Sequence, residues 1–351
     1  MRPYTSDLND KVYGGASSRY GTICKMAYSH GCAPRPLIGL LLPSRDVAAR
    51  ALPAGTILDM ATAAEDLGFD SVWLGESVVA RPRHDPLVLL AAIAVRTRRI
   101  TLGTAVLLAA QRHPLHVAHV VACLDDLSEG RVILGVGAGP SYGPTRKEYQ
   151  ALGVPFDNRV ARLDEAVHLC RLLWREDAVT FDGTFFQVRR ASIAPKPVQR
   201  DGPPIWLGTK GRRGRARAGA LFDGWIPGPQ SPTWYRDALA EVRSDAATAG
   251  RLAGAVTAAA YVSASIVGAR ETPDGAAVAA LERYYGQPYA AIADLHDVCV
   301  GPAAAAADWL GAYVRAGVTH LVVRLVGDDP QCQMRALADY LPTIRSPGSE
   351  A

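Results

Sequence analysis

Short apolar runs alternate with helical segments through most of this 351-residue chain, and this alternation limits the folds open to it. Each run is continuously apolar, as strands covered on both faces are. The predicted strands are 37–43, 71–75, 100–107, 132–137, 204–208, 224–227, 256–266 and 319–326. Eight β/α units in about 300 residues predict an α/β fold, a (β/α)8 TIM barrel with insertions in the loops at the C-terminal face. A doubly wound open sheet is the alternative.

The segments between these strands carry helix start and stop signals. Asp85 and Pro86 are typical of an N-cap and the first helical position, and Gly68 ends another helix. A hairpin is predicted over 179–188, turning at Asp182-Gly183. The predicted helices are 56–68, 85–97, 114–128, 159–174, 212–222, 232–249 and 303–317, with an Ala-rich helical stretch before the last.

The chain is predicted to have three parts. Residues 1–36 have no sustained period and many turn formers, which indicates an N-terminal extension that is flexible or partly ordered against the body. Residues 37–345 form the single barrel domain, and 346–351 form a short tail. The first residues lack the apolar core of a secretory signal, and no apolar run is long enough to span a membrane.

Composition narrows the range of functions. The chain is 49% hydrophobic with a formal net charge of +4, and its densest basic cluster is Lys210–Arg217. Mild basicity suits small anionic molecules, and no nucleic-acid-binding motif accompanies it. Six cysteines form no CxxC pair, which predicts buried free thiols in a reducing cytoplasm.

Residues with chemical potential cluster at the predicted C-terminal strand ends, where a barrel of this type has its active site. The fourth strand runs into Gly137, Ala138 and Gly139, a bare backbone that allows close approach or a positive φ. After the fifth strand come Gly208, Thr209, Lys210 and Gly211. Their main-chain amides, the charge of Lys210 and the N-terminus of the next helix together predict an anion site, most simply for a phosphate. A flexible basic surface turn is the alternative.

Three further side chains have two interpretations each. Glu76 follows the second strand directly and is a candidate acid, base or cofactor partner, or else a salt-bridged or capping carboxylate. Arg324 lies inside the eighth strand, where a buried guanidinium needs a partner: an anionic ligand, or an internal carboxylate, which we favour. His113 begins the helix after the third strand and is either catalytic or solvated.

Familiar catalytic motifs are missing from the sequence. It contains no HxH or HExxH spacing, so a metal site is not expected. It has no GxSxG nucleophile elbow, and the GVGAG of the fourth strand is not the GxGxxG of a dinucleotide-binding fold.

Several segments together resemble the bacterial luciferase-like family of flavin- and deazaflavin-dependent oxidoreductases. They occur in the family's order over nearly all of 37–345, and together they are highly specific. The matching segments include GFDSVWLGES (68–77), RITLGTAVLL (99–108), RHPLHVAHVVACLDDLSEGRVILGVGAG (112–139), APKPVQRDGPPIWLGTKG (194–211) and AGVTHLVVRLVG (316–327).

The resemblance implies a flavin or deazaflavin ring across the barrel mouth. It implies a non-proline cis peptide at Ala105-Val106 supporting the ring, close backbone access at Gly137–Gly139, and the cofactor phosphate at Gly208–Gly211. Many deazaflavin-dependent members have an acidic residue and a histidine at the end of the second strand, where this chain has Glu76-Ser77. Pro140 stands where some members have a carboxylate. A proton donor would then come from Glu76, Tyr142 or His113.

Three functions follow from the resemblance. The first is an oxidoreductase that uses coenzyme F420, a deazaflavin, for hydride transfer to or from a small organic substrate. The second is an FMN-dependent monooxygenase that uses O2 and reduced flavin from a partner reductase. The third is a non-catalytic flavin-binding protein, suggested by the missing histidine. Homodimers are common in such proteins, and the helices 114–128 and 159–174 are candidate interface elements.

The substrate is not readable from the sequence. Insertions at 140–158, 178–200 and 268–300 are predicted to form the lid, where specificity usually resides. Tyrosines in SYGPTRKEYQ (141–150) and ERYYGQPY (282–289) predict a roomy, partly aromatic pocket for a medium-sized molecule.

Overall fold

The computed structural model describes residues 35–141, 143–252, 254–267, 275–291, 298–327 and 329–348. Most of the predicted N-terminal extension, the candidate proton donor Tyr142 and the last three residues of the predicted tail lie outside the described residues.

Eight parallel strands form a closed barrel. In order around it, their pairings run from β1 through β2, β3, β4, β7, β8, β9 and β11 back to β1. Closure confirms the TIM barrel and excludes the doubly wound open sheet, which has two edges. The strands are β1 Leu37–Leu41, β2 Ser71–Leu74, β3 Thr101–Thr104, β4 Val132–Val136, β5 Val179–Asp182, β6 Gln187–Ala191, β7 Ile205–Leu207, β8 Gly224–Trp225, β9 Thr257–Ile266, β10 Val298–Gly301 and β11 His320–Leu325.

Helices follow the barrel strands and cover their outer faces. Asp85 caps its helix as predicted, because its Oδ1 accepts hydrogen bonds from the backbone N–H groups of Leu87 and Val88. The helices are α1 Ser44–Ala48, α2 Gly55–Asp66, α3 Pro86–Arg96, α4 Pro114–Leu127, α5 Gly143–Ala151, α6 Arg159–Arg175, α7 Arg212–Leu221, α8 Pro232–Thr248, α9 Ala276–Tyr285, α10 Ala303–Arg315, α11 Pro330–Ala338 and α12 Leu341–Arg345.

The insertions contain more regular structure than the sequence predicted. The hairpin β5–β6 is confirmed, with its turn after Asp182. Helix α5 lies within the predicted lid segment after β4. Strand β10 was not predicted; it is only four residues long, too short for a periodic pattern, and it pairs in parallel with the end of β9 outside the barrel.

Strand side chains alternate between the barrel interior and the layer under the helices. The interior cluster is Leu41, Trp73, Ile133, Trp206, Ile226, Ala259 and Val322, with Trp73 and Trp206 stacked at 5.1 Å between ring centroids. Because strand side chains alternate with a period of two, the positions two or four residues after the interior cluster also point inward, nearer the C-terminal mouth. On one side they are Gly75, Ala105, Gly137 and Gly208, and on the other Tyr261 and Arg324.

A buried histidine lies below the tryptophan pair. His320 is 1% exposed, contacts both indoles edge-on, and its Nε2 lies 2.7 Å from Ser71 Oγ. The indole N–H of Trp73 donates to the same hydroxyl. Burial lowers the pKa of His320 to about 4, so the ring is neutral at physiological pH.

The cysteines fit the prediction only in part. Among the four described cysteines, Cys123, Cys170 and Cys332 are free thiols; only Cys170 is buried, and Cys332 is exposed. The expectation that the thiols are buried is wrong for Cys332, because the helix α11 presents that position to solvent. Within the described part of the chain, no helix is long and apolar enough to cross a membrane.

Candidate active site at the barrel mouth

One half of the barrel mouth is lined by very small residues. The inward positions Gly75, Ala105, Gly137 and Gly208 come from four neighbouring strands or strand ends, and none carries a side chain beyond Cβ. The peptide Ala105-Val106 is cis, as the resemblance implied. We call this surface, together with Val106, the small-residue wall. A wall of this kind accepts a flat molecule against it.

The glycines of the wall make room for Val106. A Cβ on Gly137 would lie 2.7 Å from Val106 Cγ2, and a Cβ on Gly208 would lie 2.7 Å from Val106 Cγ1. Carbon atoms in contact are normally about 3.5–4.0 Å apart. The bare backbone at the end of β4 therefore admits the half-buried Val106 side chain, and Val106 is what the wall presents to the mouth.

The loop after β4 is fixed by helix α5. Gly139 has a φ of +72°, and a Cβ there would lie 2.7 Å from Thr145 Cγ2. The hydroxyl of Tyr149 donates to the carbonyl of Ala138 at 3.0 Å. Ala138 therefore has its carbonyl engaged, and Gly139 supplies the left-handed conformation that the turn requires.

Glu76 binds the segment that follows β3. Its carboxylate accepts from Leu108 N at 2.6 Å and from Arg112 Nε at 2.8 Å, and its backbone N–H donates to Val106 O at 3.2 Å. The side chain is 4% exposed, and Arg112 also pairs with Asp85. Burial raises the pKa of Glu76, while Arg112 opposes this shift. The salt-bridged state that the sequence left open is thus present.

A carboxylate that the sequence analysis did not single out organises the loop after β2. Glu148, 1% exposed on α5, accepts from Ser77 Oγ at 2.9 Å and from Val78 N at 2.6 Å. Ser77 is buried, and its hydroxyl also accepts from Arg81 N at 2.8 Å. The position where many relatives carry histidine is therefore a structural hydroxyl. Glu148 gave no sequence signal, because its partner is 71 residues away.

His113 is the N-cap of α4. Its Nδ1 accepts from Leu115 N at 3.2 Å, and its ring meets Phe186 of the hairpin edge-on at 5.5 Å. Partial burial lowers its pKa. The residue is exposed at the same end of the barrel as the wall, and the geometry assigns it a capping contact.

The segment predicted to bind an anion lies at the N-terminus of α7. Gly211 caps α7 without any side-chain hydrogen bond, which leaves the first amides of this ten-residue helix to another acceptor. Thr209 O is held by Trp225 Nε1 at 2.9 Å, and Lys210 O by Arg215 Nη1 at 2.6 Å. Burial lowers the pKa of the half-buried Lys210.

Two other basic side chains of this cluster pair with carboxylates of neighbouring helices. Arg212 pairs with Glu241 and Asp245 of α8, and Arg217 pairs with Asp164 of α6. Lys210 is half-buried and lies two residues after Gly208 of the wall.

Arg324 lies on the opposite side of the mouth, over the ring of Tyr284. Its guanidinium carbon is 4.1 Å from that ring centroid, and the guanidinium of Arg83 donates to the Tyr284 hydroxyl at 2.7 Å. Arg45 also lies over the ring, at 4.7 Å. A phenol is therefore one neighbour of the Arg324 guanidinium, and the internal carboxylate favoured from the sequence stays a prediction. Tyr284 belongs to the tyrosine-rich segment that predicted an aromatic pocket.

Comparison with known proteins decides the family. The family model described as luciferase-like monooxygenase matches residues 38–320, which is most of the barrel. The chain belongs to this family.

Relatives of this luciferase-like chain include both deazaflavin and flavin proteins. An F420-dependent glucose-6-phosphate dehydrogenase of Nakamurella multipartita is 36% identical over 195 residues, covering 52% of this chain and 55% of the relative. The chain thus spans about half the length of that curated relative. Among the described residues, no cluster of His, Cys, Asp and Glu could hold a metal ion.

Solved structures share the fold. An F420-dependent secondary alcohol dehydrogenase in complex with an F420-acetone adduct has a TM-score of 0.74 at 21% identity, over 89% of this chain and 100% of that one. The oxygenating constituent of 3,6-diketocamphane monooxygenase from Pseudomonas putida, in complex with FMN, has a TM-score of 0.69 at 18% identity, over 87% and 96%.

Proposed function

We propose that this protein is an oxidoreductase that uses coenzyme F420 for hydride transfer to or from a small organic substrate. The observation that carries the proposal is the pairing of two surfaces at one end of the barrel. The small-residue wall accepts a planar ring, and the uncapped N-terminus of α7 beside Lys210 accepts a phosphate. Family membership and an F420-dependent curated relative support the choice of cofactor.

The residues present fit such a cofactor. Ala105, Val106 and Gly137 to Gly139 would hold the ring, and Gly208, Thr209, Lys210 and Gly211 would hold the phosphate. When bound, a deazaflavin supplies a carbon centre that exchanges hydride with the substrate. The protein contributes binding, orientation and exclusion of water.

Glu76 has a positioning role in this proposal. Its carboxylate and its backbone N–H both bind the segment that contains Val106, Leu108 and Arg112. A carboxylate with these contacts keeps the wall in place, whether or not it also exchanges a proton. Tyr142 and His113 stay candidate proton donors.

The second candidate is an FMN-dependent monooxygenase, which a partner flavin reductase would supply with reduced FMN. The similar structure that holds FMN supports this second candidate, because the same wall and anion site would accept either cofactor.

A non-catalytic flavin-binding protein is the third candidate. The serine at position 77 supports it, because the Ser77 hydroxyl is hydrogen-bonded to Glu148 and Arg81.

The assembly and location that we propose are a homodimer in the cytoplasm. Exposed apolar side chains on neighbouring helices support the dimer: Val88 and Val95 on α3, and Val120 and Leu127 on α4. Helix α6, the other interface candidate, exposes only Val160. The free thiols of Cys123, Cys170 and Cys332 suit a reducing compartment. Light scattering of the purified protein measures the mass that decides between monomer and dimer.

Cofactor titration tests the proposed function. Oxidised and reduced deazaflavin and FMN are titrated separately into the apoprotein, and the fluorescence of its tryptophans is followed. We expect tight and selective binding of the deazaflavin. Selective binding of reduced FMN would favour the monooxygenase, and binding of neither would refute both.

A further inference from the structure

Three arginines and one tyrosine converge on the far side of the barrel mouth from α7. Arg45 comes from α1, Arg83 from the loop after β2, Arg324 from β11 and Tyr284 from α9. The three guanidinium carbons lie 4.7, 5.6 and 4.1 Å from the Tyr284 ring centroid. We call these four residues the arginine cluster.

Two donor atoms of the cluster are buried and unsatisfied among the described residues. Arg45 Nη1 and Arg83 Nε are shielded from solvent and have no hydrogen-bond acceptor in the described part of the chain. The largest electrostatic influences on Arg83 are Tyr284, Tyr261 and Arg324, and none is a carboxylate. Buried donors such as these two are costly to leave unsatisfied unless an acceptor joins them.

The space beside the cluster has the size of one oxyanion group. A cavity of ≈ 50 Å³ is lined by Arg45, Arg83, Arg283, Tyr284 and Arg324, together with the carboxylate of Asp46 and apolar residues such as Leu41 and Leu42. One water needs about 10–15 Å³ on this scale, so the cavity holds about three to five waters. That is enough for a phosphate or carboxylate group and too little for a whole organic substrate.

The cluster also adjoins the small-residue wall. A Cβ on Gly75 would lie 2.8 Å from Arg83 Nη1 and 3.1 Å from Ala105 O. The guanidinium of Arg83 therefore reaches the edge of the wall at β2 and β3. An anion bound by Arg83 would be attached to a molecule lying over that wall.

We infer that the arginine cluster is the subsite for a terminal oxyanion group, a phosphate or a carboxylate, of the substrate. That the bound group belongs to a substrate rests on the proposed function, whereas anion binding by the cluster does not. The cluster would fix one end of the substrate, so that its reactive carbon lies over the wall. The phosphate of the cofactor would occupy the separate site at α7.

Tyr284 provides a spectroscopic signal for the cluster. The guanidiniums of Arg83 and Arg324 lower the pKa of Tyr284 to about 7, against the opposing effect of burial. A bound anion would weaken this stabilisation of the phenolate. Anion binding is therefore expected to reduce the near-ultraviolet absorbance of tyrosinate at neutral pH, and Tyr284→Phe removes the signal.

The experiment titrates inorganic phosphate and, separately, acetate into the full chain. Tyrosinate absorbance and the thermal midpoint are followed for wild type, Arg45→Met, Arg83→Met and the control Arg50→Met, an exposed arginine in the same loop region. We expect phosphate or acetate to raise the midpoint of wild type and Arg50→Met. Its affinity should fall about tenfold or more in Arg45→Met and Arg83→Met.

The two titrations distinguish a phosphate from a carboxylate, and a cofactor titration distinguishes this inference from the proposed function. Tighter binding of phosphate assigns a phosphate group, and tighter binding of acetate assigns a carboxylate. No binding of either to wild type, or equal loss in Arg45→Met and Arg50→Met, overturns the subsite. Deazaflavin affinity is measured for the same proteins and should not change. Its loss in Arg45→Met would assign the cluster to the cofactor and overturn the inference, whereas failure of wild type to bind deazaflavin refutes only the proposed function.

Discussion

The contact between Gly137 and Val106 is the most specific packing feature of the mouth, and Gly137→Ala tests it. The new Cβ would lie 2.7 Å from Val106 Cγ2, so the valine must retreat by about 0.8–1.3 Å to reach an ordinary contact. Overpacking of this kind costs about 1–3 kcal/mol. Gly137 has no positive φ, so loss of glycine from the unfolded chain returns about 0.4–1 kcal/mol. We expect a net loss of about 1–2 kcal/mol.

A double-mutant cycle with Val106→Ala isolates the contact. Val106 Cβ would lie 3.6 Å from the new atom, an ordinary separation, so Gly137→Ala should be close to neutral once both methyls are gone. The coupling expected from urea denaturation is about 1–3 kcal/mol. Gly143→Ala, with nothing within 4 Å of its Cβ, serves as the control and should change stability by less than about 0.5 kcal/mol. An equal cost of Gly137→Ala in both backgrounds would refute the packing argument.

Three further predictions concern charge. Lys210→Glu should weaken deazaflavin affinity by about tenfold or more in fluorescence titration, because it reverses the charge beside the proposed phosphate. The control Arg243→Glu, at an exposed position, should leave this affinity unchanged. Unchanged affinity in Lys210→Glu would count against the proposed phosphate site. Glu76→Gln should lose turnover, because an amide has only one oxygen and cannot replace both carboxylate oxygens that accept from Leu108 and Arg112. The variant should still unfold cooperatively on heating. Wild-type rates would leave Glu76 with a structural role only. The buried neutral His320 has a pKa of about 4 in the folded protein and about 6.5 in the unfolded chain, so the unfolded chain binds more protons between these pH values. The free energy of unfolding should therefore fall as the pH decreases through this window, by up to about 3 kcal/mol. His320→Gln should remove this component from denaturation curves measured at about pH 4.5 and 7, and an unchanged pH dependence would contradict the prediction.

The barrel could be predicted from the sequence because its strands are covered on both faces. Continuous apolar runs such as those at β1 and β4 have few alternative placements, and the helix caps at Asp85 and Gly211 are local signals. Strand β10 could not be predicted, since its four residues pair with a partner more than thirty positions away and show no period. Helix α5 was not predicted, because its many exposed polar residues are typical of a loop.

The site was predictable where it depends on backbone and not where it depends on distant side chains. Gly137, Gly208 and the segment Gly208–Gly211 were identified because glycine itself is the signal. The partners of Glu76 and Ser77 were not, because Arg112 and Glu148 lie 36 and 71 residues away. The arginine cluster combines four elements, and of its members only Arg324 stood out, as a charge inside an apolar strand.

The central claim is that a planar redox cofactor lies on the small-residue wall with its phosphate at α7. A crystal structure of the protein with bound oxidised deazaflavin tests it most directly. The account predicts that the ring contacts Ala105 and Val106 and that the phosphate accepts hydrogen bonds from Gly211 and the first turn of α7. A ring packed against Arg324 and Tyr284, or a phosphate away from α7, would contradict it.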